Sequence, residues 1–235
     1  MPFLFLFLLN FSFAYEDPTG GKAFFQWSWE DQLKPMLKEA GEPGHLSLLG
    51  GAVLGTMAVQ PYDRKIRDYR SDHGNLLMGK KDSHNISIVS NGWLEVGTAI
   101  SLLYFDSPEA VKMSRALIFT SLSSGILKSA VGRDRPDHSN KASWPSGHTS
   151  SMFAMAGSLA ASYGAAGAVP GYSAAILVAL SRINETKHWA GDLVGGAFIG
   201  TYWAMVSADV QEQGKMAIIP VPVGDGGMLM VMNDF

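Results

Sequence analysis

Uncharged apolar stretches alternate with charged or turn-rich ones along the chain, on the length scale of helices. Leu46 to Tyr62 and Leu193 to Ala208 carry no charge, and Ala142 to Ser181 is uncharged for longer, interrupted by Pro145 and Pro170. The pattern predicts a short helix over Trp29 to Ala40, ended by Gly41, Pro43 and Gly44. An apolar helix over Leu46 to Val59 follows, stopped by Pro61. Asp63 to Arg70 reads as a charged helix, Ser71 to Ser83 as loop, and Asn91 to Phe105 as the next apolar helix. Ser107-Pro108 is an N-cap and first-turn signal for a helix over Glu109 to Val131. Gly132 to Ser146 is a polar loop. Helices are predicted over His148 to Tyr163, over Tyr172 to Ser181 after a break at Gly164 to Gly167, and over Trp189 to Ser207.

The tail changes period. Met216 to Val223 and Met228 to Met232 flank Gly224-Asp225-Gly226-Gly227, a hairpin pattern in which Pro220 and Pro222 restrict the first run to an edge. The expectation is therefore an all-α bundle (46–210) with a lead-in segment (15–45) and a small C-terminal β-hairpin (216–235).

Composition narrows the function classes. At 47% hydrophobic and 17% charged residues, the chain is not globally disordered. Its 18 Lys+Arg against 21 Asp+Glu give no broad basic face, so nucleic acid is not an expected partner. The absence of cysteine excludes disulfides, thiolate metal sites and a cysteine nucleophile. Pro2 to Leu9 is apolar, and Ser12 and Ala14 sit at the −3 and −1 positions before Tyr15. Residues 1–14 thus read as a secretory signal peptide, implying an exported and periplasmic protein. The remaining apolar runs fall below the roughly 18–20 residues that span a bilayer, so they read as buried helices of a bundle. A polytopic membrane arrangement is the alternative, because small-residue helices also pack in membranes.

Three clusters carry candidate chemistry. Lys128 is followed seven residues later by Arg135-Pro136. Pro145-Ser146-Gly147-His148 places free backbone N–H groups at a helix start, where the dipole attracts anions. Ser181-Arg182 precedes His188 and Asp192, which stand at i and i+4 and share a face if helical. Taken singly, each has an ordinary explanation: a dipole-compensating lysine, an N-cap serine, a polar pair on a wet face. Together, Lys128, Arg135 and Arg182 with Ser146 and Gly147 suit a multiply anionic phosphoryl group, and two histidines supply acid–base or nucleophilic capacity. No carboxylate cluster has metal-ligand spacing, so neither metal nor cofactor is expected. His45, His73, His84 and His138 read as loop or surface residues. Arg133 and Asp134 read as surface charge. Asp63, Arg64, Lys65, Arg67 and Asp68 read as a solvated helical face.

The K-x6-RP, PSGH and SR-x5-H-x3-D motifs, complete and in order between Lys128 and Asp192, resemble those of the type 2 phosphatidic acid phosphatase superfamily. That group contains bacterial non-specific acid phosphatases, lipid phosphate phosphatases and vanadium haloperoxidases. The resemblance implies the acid phosphatase/haloperoxidase type of helical bundle and a metal-independent phosphomonoesterase. It implies that His188 is the nucleophile, that Asp192 orients it, and that His148 protonates the leaving group and then activates water. Lys128, Arg135, Ser146, Gly147 and Arg182 would hold the phosphoryl oxygens. The substrate would be a phosphate ester, either soluble or lipid, with membrane association in the second case; oligomeric state is not readable. A vanadate-dependent haloperoxidase is the alternative chemistry, disfavoured by the short chain. A phosphate-headgroup binding envelope protein is the non-enzymatic one.

Overall fold

A computed structural model describes residues 28–74, 78–90, 97–98, 101 and 108–210, together with the strand backbone at 216–223 and 226–233. The predicted signal peptide and most of the predicted Asn91 to Phe105 helix lie outside the described residues. A π-helical turn, Ser28–Leu33, leads into α1 (Lys34–Ala40). The remaining helices are α2 (Pro43–Val59), α3 (Asp63–His73), α4 (Lys80–Val89), α5 (Pro108–Val131), α6 (Gly147–Tyr163), α7 (Ala165–Asn184) and α8 (Ala190–Asp209). The strands β1 (Met216–Val223) and β2 (Gly226–Asn233) are antiparallel, with Met216 opposite Asn233.

Several boundaries differ from the sequence reading. Pro43 opens α2 instead of ending α1, because a first-turn proline gives up no hydrogen bond. Pro61 does not stop the chain either. A 3-10 turn, Gln60–Tyr62, carries it directly into α3. The loop expected over Ser71 to Ser83 is shorter, since α3 runs to His73 and α4 starts at Lys80. Pro170 lies near the start of α7, where the helix runs through it.

Helices α5, α6 and α7 share one core, built from Met113, Ala116, Leu117, Met152, Ala154, Met155, Ala156, Ala175 and Val178. A second cluster docks α1 on α8 through Met36, Tyr202 and Val206, and Tyr202 Oη donates to the Ala40 carbonyl at 2.9 Å. Contact between α6 and α8 depends on missing side chains: a Cβ on Gly200 would lie 2.1 Å from the Ser150 carbonyl oxygen. His45 is buried, not exposed as expected. It bridges the Glu39 carbonyl at 2.8 Å and Asp209 at 3.0 Å, tying the start of α2 to the end of α8.

The outer surface also departs from the reading of these helices as buried. Leu54 on α2, Ile126 on α5 and Val169 on α7 are 68%, 69% and 68% exposed. Val53, Met57, Leu122, Ile176 and Leu177 join them in facing outward. The helices therefore have an apolar outside as well as an apolar inside, which a single-sided periodicity does not reveal. Among the described residues one helix, Ala165–Asn184, is long and apolar enough to cross a membrane.

Candidate active site

Chain direction assembles the site. The C-terminal ends of α5 and α7 and the N-terminal ends of α6 and α8 meet at one end of the bundle. Cations in last turns and open amides in first turns therefore fall side by side. Gly132, at φ +59°, ends α5 in the left-handed conformation that glycine adopts freely, and its N–H caps the Lys128 carbonyl at 3.1 Å.

Lys128 reaches from this last turn to the loop before α6. Its Nζ donates to the Ala142 carbonyl at 3.1 Å and to the Pro145 carbonyl. A Cβ on Gly147 would stand 3.8 Å from Lys128 Cε, so the lysine lies along the start of α6. Ser146 occupies the N-cap position but its side chain makes no capping bond. It is fully buried, its N–H donates to the Asp192 carbonyl at 3.1 Å, and its Oγ accepts from Thr149 at 3.0 Å. The hydroxyl proton of Ser146 is thus left to donate elsewhere. His148, half-buried in the first turn of α6, interacts electrostatically with Arg182, His188, Arg135 and Lys128.

Both predicted arginines carry a buried Nε–H with no hydrogen-bond partner, Arg135 in the loop after α5 and Arg182 in the last turn of α7. Buried charged donors left open are costly, and an anion seated between them would remove that cost. Arg182 is otherwise engaged through Nη1, which donates to Ser87 Oγ and to Glu185 at 2.5 Å.

His188 lies in the loop between α7 and α8. Its Nδ1 is 2.8 Å from the Ser143 carbonyl and 3.6 Å from Asp192 Oδ2. Because a carbonyl only accepts, Nδ1 carries the proton and Nε2 keeps its lone pair. Burial pushes the His188 pKa down to about 4, against the raising effect of Asp192 and with help from Lys128 and Arg135. Asp192, fully buried in the first turn of α8, accepts from Ser143 Oγ at 2.5 Å, from the Trp189 N–H at 2.8 Å and from Arg133 Nη1 at 2.6 Å. Two residues upstream of His188, Thr186 sits at φ +57°, an uncommon conformation for a β-branched residue, and Arg70 Nη2 holds its hydroxyl at 2.5 Å.

The structure thus groups Lys128, Arg135, Ser146, Gly147, His148, Arg182, His188 and Asp192 at one end of the bundle. It also corrects two readings. Arg133 is not a surface charge but joins Asp192 to Asp63. Asp63, expected on a solvated face, is buried and accepts from Arg133 Nη2 at 2.5 Å and from the Gly191 N–H at 2.9 Å. Ser143, Glu185 and Arg70 were also missed. Their partners Asp192, Arg182 and Thr186 stand 49, 3 and 116 residues away, and only the Glu185–Arg182 spacing is visible in the sequence. Among the described residues no group of three or more His, Asp or Glu is placed to hold a metal ion.

Residues 109–214 match the PAP2 superfamily. The matched segment is the one that carries the whole cradle. A 76-residue stretch is 41% identical to the lipid A 1-phosphatase of Porphyromonas gingivalis, covering 31% of this chain. The match spans 17% of the length of that relative. Among solved structures, LpxE of Aquifex aeolicus superposes with a TM-score of 0.54 at 19% identity, over 59% of this chain and 91% of that one. The first transmembrane PAP2 type phosphatidylglycerolphosphate phosphatase from Bacillus subtilis gives 0.58 at 17% identity, over 69% and 93%. At such identities the likeness is one of fold, and this chain shares the helical bundle of those structures.

Proposed function

We propose that the protein is a metal-independent phosphatase that hydrolyses a lipid phosphate monoester through a phosphohistidine. The observation that carries the reading is the pair of open, buried guanidinium donors on Arg135 and Arg182, set beside Lys128 and a nucleophile-competent His188. Nε2 of His188 attacks phosphorus, the P–O ester bond breaks, and protonated His148 gives its proton to the leaving alkoxide. Neutral His148 then takes a proton from water, the resulting hydroxide attacks phosphorus, and the P–N bond breaks to release inorganic phosphate. Lys128, Arg135, Arg182, Ser146 and the Gly147 amide hold the three phosphoryl oxygens, and Asp192 orients His188. Phosphoryl transfer asks little more of a protein than such positioning and charge.

The outward apolar residues on α2, α5 and α7 favour a lipid substrate and a bundle seated in a membrane, with the phosphate site at its end. In this reading residues 46–210 form the phosphatase domain, residues 1–14 direct export to the periplasmic side, and the β1–β2 pair is a hairpin extension of the domain. The relatives named for lipid A and phosphatidylglycerolphosphate support the lipid class. The test is to fractionate expressing cells and assay membrane and soluble fractions on p-nitrophenyl phosphate and on a lipid phosphate, each with EDTA and with vanadate. Activity is expected in the membrane fraction, insensitive to EDTA, inhibited by vanadate and higher on the lipid. Soluble activity that ignores lipid phosphates would overturn the substrate class.

A further inference from the structure

Arg133 lies between two buried carboxylates that come from distant parts of the chain. One is Asp192, at 2.6 Å from Nη1, and the other is Asp63, at 2.5 Å from Nη2. Asp63 opens α3, and its second oxygen receives the Gly191 N–H at 2.9 Å, one residue before Asp192. The guanidinium plane also lies near Trp189, with its carbon 5.8 Å from the ring centroid, while the Trp189 N–H binds Asp192. Three segments are therefore clamped around one carboxylate: α3, the loop between α5 and α6, which supplies both Arg133 and Ser143, and the start of α8. A surface pair would not need this arrangement. Burying two acids and one base is costly, and their retention here secures one geometry.

We infer that Asp63 and Arg133 are positioning residues that set both the place and the effective charge of Asp192 behind the nucleophilic His188. This rests on the phosphatase reading and deepens it. As His188 forms its bond to phosphorus, positive charge develops on the ring, and Asp192 stabilises it at 3.6 Å from Nδ1. Arg133 opposes that stabilisation. Asp63 draws part of the guanidinium charge to itself and so leaves Asp192 more effectively negative. The two partners are separable: neutralising Asp63 disfavours the charged ring, whereas keeping the Arg133 charge while losing its fork disturbs position alone.

The other groups facing His188 are Lys128 from α5, Arg135 from the following loop and His148 from α6, with Arg67 of α3 lining the same small cavity. All are left intact in the variants.

The experiment uses the full chain in detergent or nanodiscs, with His188 ring nitrogens followed by NMR and assigned by loss in His188→Gln. Asp63→Asn and Arg133→Lys are compared with the parent for ring titration, kcat and KM. Asp63→Asn is expected to lower the His188 midpoint by about half a unit or more. It should cut kcat roughly tenfold, with KM within about threefold. Arg133→Lys is expected to keep the midpoint and lose kcat by a similar factor. If Asp63→Asn fails to fold, Asp63→Glu keeps the charge and shifts the carboxylate, and its kcat loss with unchanged midpoint makes the same case. Folded Asp63 variants with parental titration and parental kcat overturn the inference, as does a loss confined to thermal stability. A parent that turns over no phosphate ester would defeat the functional reading instead, while the ring titration still judges the clamp.

Discussion

The carbonyl oxygen of Ser143 lies 2.8 Å from Nδ1 of His188. That contact fixes the tautomer, so Nε2 is the only ring nitrogen able to attack phosphorus. His188→Ala should therefore lower turnover by a factor on the order of 10³ or more, with helicity unchanged by circular dichroism. Rapid acid-free quenching should trap a phosphoryl group on Nε2 of His188 in the parent. Label recovered on Nδ1, or near-parental turnover in the alanine variant, would rule out this assignment.

His188 also links stability to pH. Its folded pKa is about 4, against 6.5 for the unconstrained ring. The unfolded chain therefore binds a proton as pH falls below about 6.5, while the folded protein resists until about 4. The neutral buried ring costs nothing above the unfolded value, and stability is lost as pH drops through this window, by up to roughly 3 kcal/mol if no other group compensates. Thermal unfolding between pH 7 and pH 4 should show that loss, and His188→Gln should reduce it without abolishing it, since burial also pushes the His148 pKa down, to about 3. An equally steep loss in the variant would assign the effect to other groups.

Gly200 lets α8 approach α6. A methyl group there would lie 2.1 Å from the Ser150 carbonyl oxygen and 2.8 Å from the Ala154 nitrogen, both backbone atoms that cannot rotate away. Gly200→Ala should cost about 1–3 kcal/mol as overpacking. Because Asp192 and Ser146 are joined across the same interface at 3.1 Å, kcat should fall with it. Parental melting and parental kcat would show that the helices can part without cost.

In the proposed site, Glu185 competes with phosphate for Arg182. Its carboxylate holds Arg182 Nη1 at 2.5 Å, so an incoming phosphate must share that guanidinium. Glu185→Gln should tighten vanadate inhibition by roughly three- to tenfold, because a repelling charge is removed next to an anion site. Weaker inhibition would mean instead that Glu185 is needed to aim Arg182.

Much of the site was legible because the chemistry is local in sequence. A lysine seven residues before an arginine, a Pro-Ser-Gly-His turn and a His–Asp pair at i and i+4 each hold their members within a short segment. Helix termini then fix their surroundings. Arg133 and Asp63 were misread for the converse reason. They are 70 residues apart, and on its own segment each looks like one charge among several. The outward faces of α2 and α7 were misread because the long uncharged stretches Leu46 to Tyr62 and Ala142 to Ser181 give no contrast between an inside and an outside.

By itself, the sequence determined the helical period, the residues proposed to grip a phosphoryl group, and the end of each helix at which they stand. Only the tertiary structure decided which charges are buried together, since that follows from where non-adjacent helices cross. Pairing across such a crossing depends on distances between segments, and no local spacing encodes them.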